Sequence, residues 1–212
     1  MSSFHLIVLA QDWDALRLGY AAQPALATLQ SVPLDAPLFK SEPEDLEAYT
    51  WNTSTLVFTR SATERWIEAV AQANERKGGL AKLNRLKESL GMGSALERAL
   101  YLRAFVVMVG QERIYGGVFL DAPSQMAIGF PVARVEIEQG RGVLHFLPLH
   151  LPFFQSDPAS DSDAGQDAPR DVPSGMINHF RTAAMAPAAI ENRRLLQDPR
   201  IRECLEAAGK LR

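Results

Sequence analysis

A single cysteine, Cys204, is all the thiol chemistry this chain of 212 residues has. An intrachain disulfide needs two cysteines and a cysteine-built metal centre needs more, so both are excluded. Long hydrophobic runs are missing too. The first apolar stretch, "FHLIVLA" at 4–10, holds a histidine and has no basic lead-in. It falls well short of the ~18 residues a membrane span needs and does not read as a secretion signal. No membrane span and a cytoplasmic protein are the expectation. Charge of one sign is also lacking: 22 Lys and Arg against 25 Asp and Glu give a net charge of -3. The isoelectric point near 5.8 argues against a nucleic-acid partner.

The motifs of common chemistries are absent as well. There is no G-x-x-x-x-G-K-[ST] and no strand-linked G-x-G-x-x-G, which disfavours the usual nucleotide enzymes. Ser124 in "DAPSQM" lacks the G-x-S-x-G elbow. The four histidines, His5, His145, His150 and His179, form no H-x-x-x-H pair. His145 and His150 differ by five, so on one strand they face opposite ways. Neither a metal nor a cofactor is expected. Asp12 and Asp14, and the acids of 42–47, have the composition of a hard-cation site. Helix capping explains the second group better. Arg200 and Arg202 precede Cys204, but with no partner base in sight an inert thiol is the simpler reading.

What is present is an ordinary globular balance, 47% hydrophobic and 22% charged. "FHLIVLA" and "AFVVMV" (104–109) have the length and continuity of strands covered on both faces. "STLVFT" (54–59) is strand-like. "VARVEIE" (132–138) alternates with period two, "QGRG" is a hairpin turn by composition, and "VLHFLPL" (143–149) returns. With "RIYGGVFL" (113–120) these predict an antiparallel meander over 104–149. Ser41 with Glu44, Ser61 with Glu64, and Ser94 with Glu97 have capping-box spacing and predict helix starts. The helix after Ser61 carries an apolar stripe of Trp66, Ile67, Val70 and Ala73, and Gly78–Gly79 stops it. The fold class is therefore α+β, a mainly antiparallel sheet with packed helices, in a domain spanning 1–155.

Residues 156–174 hold five aspartates against one arginine and almost nothing apolar. Such a segment predicts a disordered acidic linker. Residues 175–212 have helical patterning with seven Lys and Arg against four Asp and Glu. That tail is too small to fold alone and needs a surface to dock on.

Two places invite a partner. Gly116 and Gly117 interrupt a strand, one on each face, flanked by Arg113, Tyr115 and Phe119. Either another element approaches closely there, or a notch beside Tyr115 and Phe119 accepts a ligand. In the second case Gly117→Val abolishes binding without loss of stability. Tyr49 and Trp51 precede the 54–59 strand as a core edge or as an exposed aromatic platform. Arg76, Lys77, Lys82, Arg85 and Lys87 make a basic stretch, which reads as a solvated helix face or as a contact for an anionic surface. With catalytic constellations missing, the expected function is a non-catalytic module of adaptor or immunity type, presenting a sheet surface and a helical tail to another protein. The alternative is a small-molecule hydrolase whose site gathers Asp121, Ser124, His145 and His150.

Overall fold

A computed structural model describes residues 3–75, 95–121, 124, 126–151 and 187–212. The order is β1 (Phe4–Asp12), α1 (Trp13–Leu16), α2 (Ala22–Ser31), β2 (Pro37–Lys40), a 3-10 turn (Pro43–Asp45), β3 (Leu46–Thr50), β4 (Thr55–Phe58), α3 (Arg60–Glu75), α4 (Ala95–Leu100), β5 (Arg103–Val109), β6 (Glu112–Phe119), β7 (Val132–Glu138) and β8 (Arg141–Leu147). Helix α5 follows over 187–196, then α6 (Pro199–Ala207).

The strands form one eight-stranded sheet in the order β2-β1-β5-β6-β7-β8-β4-β3. Eight flat strands would set the outer two about 34 Å apart, at ~4.8 Å per interval. Yet β2 joins β3 through residues 41–45 alone, a connection that reaches about 22 Å at most. The sheet must therefore curl. Phe39 of β2 accordingly meets Phe58 of β4, with ring centroids 6.1 Å apart, and stacks on Trp66 of α3 at 5.5 Å. That face is the inside, and Phe105, Tyr115, Phe119 and Phe146 fill it. The outer face is covered by α1, α2 and the 126–132 segment, with Trp13 stacked on Phe130 at 5.7 Å.

This two-sided cover explains the continuous apolar strands. In β1, Phe4, Leu6 and Val8 point inward while Ile7 and Leu9 point outward, and all five are buried. In β5 the alternation repeats with Phe105 and Val107 against Ala104 and Val106. The α+β class and mainly antiparallel pairing agree with the sequence reading, with one difference inside 104–149. Strands β5–β6 and β7–β8 are antiparallel neighbours, but β6 and β7 run parallel. The connector 120–131 is long enough to cross over. It is pinned to the residues after β8 by paired bonds between Ile128 and His150 (2.7 and 2.9 Å).

Three local expectations are corrected. The 43–45 turn is capped by Glu42 with Asp45, not by Ser41 with Glu44. Ser41 is buried, and its hydroxyl accepts from Leu6 N at 2.7 Å. Helix α3 begins under Thr59, whose hydroxyl accepts from Ala62 N at 3.3 Å, so Ser61 is not its cap. Trp66 and Val70 are buried, whereas Ile67 is 38% exposed and lies off the stripe. The Gly78–Gly79 stop, the cap at Ser94, the basic stretch 76–87 and the linker 156–174 lie outside the described residues.

The C-terminal segment docks on the body. Leu196, Ile201 and Leu205 are at most 2% exposed and belong to the inner core. Asp198 caps α6, accepting from Arg200 N at 2.9 Å, and Pro199 occupies the first turn. Beyond α6, Leu211 pairs in parallel with Tyr49. Tyr49 N donates to Lys210 O (2.7 Å), and Arg212 N to Tyr49 O (2.8 Å), which covers the open edge of β3. Among the described residues no helix is long and apolar enough to cross a membrane.

Candidate docking surface along the last helix

The glycine pair is explained by close approach on both faces. A Cβ on Gly116 would stand 2.8 Å from Leu29 Cβ of α2. One on Gly117 would stand 2.2 Å from Pro131 O and 2.6 Å from the Phe105 ring. The notch beside Tyr115 and Phe119 is thus filled from within, and both side chains are 1% exposed. Arg113 reaches across the outer face and donates to Leu29 O (3.1 Å) and Gln30 O (2.8 Å), capping the end of α2. Tyr49 is buried as well, and burial pushes its phenol up to about 12 against a smaller opposing pull from Ser54. Its hydroxyl and Trp66 Nε1 have no partner at hydrogen-bond geometry among the described residues. Trp51 alone reaches the surface, half-buried, with the Arg202 guanidinium 6.0 Å from its ring. Of Tyr49, Trp51, Arg113, Tyr115, Gly117 and Phe119, four are core and one is a helix cap, so they make no common exposed surface.

Three of the four hydrolase candidates do come together. Ser124 N donates to Asp121 O at 3.2 Å, and the His150 ring lies against Ser124. However, His150 Nε2 donates to the Ser124 carbonyl (3.0 Å), not to its hydroxyl, and Nδ1 then accepts from Arg134 (3.2 Å). A carbonyl can only accept, which fixes this tautomer. Both ring nitrogens are spent on linking Ser124 to Arg134 of β7. The Ser124 hydroxyl instead accepts from Met126 N at 3.4 Å. Among the described residues the Ser124 hydroxyl is not hydrogen-bonded to His150, the pairing of nucleophile and base that acyl transfer requires. His145 is elsewhere, 3.3 Å from Thr55 Oγ1 on the neighbouring strand. His5 is likewise occupied: Nδ1 donates to Ser41 O (2.7 Å) and Nε2 accepts from Ser3 Oγ (2.6 Å). Asp12 caps α1, accepting from Ala15 N at 3.0 Å. Among the described residues no three His, Cys, Asp or Glu gather at ligand distances.

The surface that sequence reasoning missed lies beside α6. A cavity of about 260 Å³ opens between that helix and the strand ends, lined by Phe4, Pro43, Leu46, Cys204, Ala208 and Lys210. A second depression of about 490 Å³ continues past it, between α6 and the β5–β6 turn, with Val109, Glu112, Arg200 and Glu203 on its walls. Cys204 and Ala207 border both, and on the side facing α6 Gly110 N donates to Ser3 O (2.7 Å), which links the two parts of the sheet wall. The result is a trough with α6 on one side.

The local causes are plain. Ile201 and Leu205 anchor the helix inward, while Ala207 and Ala208 present only methyl groups outward. Small side chains on that turn leave the floor open. Burial pushes the Cys204 thiol up, and its side chain forms part of the trough wall. The trough ends differ in charge. Lys210 stands at the apolar end. At the other, Arg200 bonds to Asp198 (2.7 Å) and Glu112 (2.7 Å), with Glu203 beside them. Hydrogen bonding from Arg200 holds the Asp198 carboxyl below its ordinary range. Three carboxylates against one guanidinium leave that end negative.

Fold and surface together define an α+β protein with a curled, mostly antiparallel sheet and a helical segment closing one end. Comparison with protein-family models, with curated proteins and with solved structures yields no match.

Proposed function

We propose that the chain is a non-catalytic protein-interaction module, of adaptor or immunity type, and that its contact surface is the trough beside α6 rather than the sheet. One observation carries this reading: an apolar floor stays open to solvent next to a helix whose Ile201 and Leu205 are docked in the core. Concave apolar surface with a polar rim is what a partner's side chains seek. The groups with catalytic potential support the same reading, since His5, His150 and Asp12 are each committed to a structural bond.

Truncation at residue 155 is a poor test, because it strips Leu196, Ile201 and Leu205 from the core. Site-specific photo-cross-linking tests the proposal in the folded chain. A benzoylphenylalanine placed at Ala207 is expected to trap a discrete protein adduct in the cells that make this chain. Positions Tyr20 and Ile190, exposed at 58% and 61%, sample other surfaces. Adducts at none of the three sink the module reading.

The hydrolase reading has one observation in its favour, the meeting of Asp121, Ser124 and His150. It needs His150 to release the Ser124 carbonyl. Turnover of a panel of small esters that Ser124→Ala abolishes would establish it.

A further inference from the structure

Resting on the interaction reading, we infer that the trough takes a short polypeptide segment of a partner in which one large apolar side chain lies between an acidic and a basic residue. The cavity at the Lys210 end receives the apolar side chain. Its 260 Å³ is room for roughly nine waters at ~30 Å³ each, and taken by itself this end falls below the ~300–1,000 Å³ common for small-molecule sites. An anchoring side chain fits that size better than a free metabolite.

Charge complementarity fixes the flanks. The cationic group at the apolar end is Lys210, which favours a carboxylate beside the anchor. At the far end Glu112, Asp198 and Glu203 outnumber Arg200, which favours a Lys or Arg. The separation follows from the helix. Arg200 and Ala207 are seven residues apart on α6, about 10 Å at 1.5 Å per residue. That length of helix matches about three extended residues of the segment, at ~3.3 Å each.

The test uses the full chain as bait for a phage-displayed library of short random peptides. Enrichment of peptides with a large apolar residue, an Asp or Glu on one side and a Lys or Arg on the other is expected. An enriched peptide should lose about tenfold or more in affinity for Ala207→Trp, because that exposed position borders both parts of the trough. Lys210→Glu should reverse the selection at the acidic position, a readout that a merely structural change would not produce. Thermal unfolding confirms that both variants are folded. Several outcomes overturn the inference: no enriched peptide, enriched peptides indifferent to Ala207→Trp, or purely apolar peptides indifferent to Lys210→Glu. A fluorescent long-chain fatty acid that fills the trough while no peptide does, or a dimer of this chain that Ala207→Trp splits, overturns it as well. Cross-linked adducts at Tyr20 or Ile190 but not at Ala207 would defeat this inference and the trough while leaving a module that binds elsewhere.

Discussion

Replacing Gly117 by alanine distinguishes a ligand notch from a packing contact. In an open strand position the change helps, by about 0.4–1 kcal/mol, because the unfolded chain loses freedom. Here the new methyl carbon would lie 2.2 Å from Pro131 O and 2.6 Å from Phe105 Cζ. The ring can tilt, but the carbonyl belongs to the backbone that joins β6 to β7 and accepts from Val118 N at 3.3 Å. Relief requires moving that junction. Overpacking of this kind costs about 1–3 kcal/mol and occasionally more, and because the nearest opposing atom is a backbone carbonyl the upper end applies, about 3 kcal/mol. For a chain of this size that lowers Tm by roughly 6–12 °C. Gly116→Ala, opposed 2.8 Å away by Leu29 Cβ on a helix that can shift, should lose about 1–2 kcal/mol. Adding Phe105→Leu to Gly117→Ala should not restore stability, since the carbonyl stays. Differential scanning calorimetry reads all of these. A Gly117→Ala chain that melts at or above the parent temperature refutes the packing argument and revives the notch.

Leu205→Ala, at a position 1% exposed, should cost about 2–5 kcal/mol in urea unfolding. One transition, without an early step for 187–212, is the expected trace. Asn192 donates to Gly129 O and Pro148 O, both at 2.8 Å. Asn192→Ala leaves two carbonyls without that donor and should cost about 1–3 kcal/mol; equal stability would mean that water replaces the amide. Burial raises the Tyr49 phenol from 10.0 to about 12, so the folded state keeps a proton that the unfolded state releases first. That contribution, roughly 3 kcal/mol, is complete below pH ~10 and is lost as pH rises through about 12. Tyr49→Phe should flatten this alkaline loss and leave stability at pH 7 unchanged or higher, measured by urea midpoints across pH.

Periodicity made several elements legible. The hairpin at 139–140 shows because Gln139 and Gly140 sit at φ 52° and 81°, a conformation whose composition is readable in "QGRG". β1 and β5 show because cover on both faces leaves 6–10 and 104–109 without a polar residue. The glycine pair announced a close approach, though not from what. Illegible features depend on distant partners. The parallel β6–β7 pairing is decided by how the 120–131 connector anchors to His150, and no local pattern records it. Arg113 looked like a site residue because its role, capping α2, lies 83 and 84 residues away in sequence. The trough joins residues 3–4, 43–46, 109–112 and 200–210, and only the small pair Ala207–Ala208 hinted at it.

The pairing of Leu211 with Tyr49 has a consequence for synthesis. The β3 strand leaves the ribosome about 160 residues before the segment that covers its flank. At ~5–20 residues per second, that is on the order of 10–30 s in which a nascent chain offers bare main-chain donors and acceptors to its neighbours. Yield from crowded polysomes should therefore depend on holdase capacity early in translation, and a chain stalled before residue 210 should be the aggregating species.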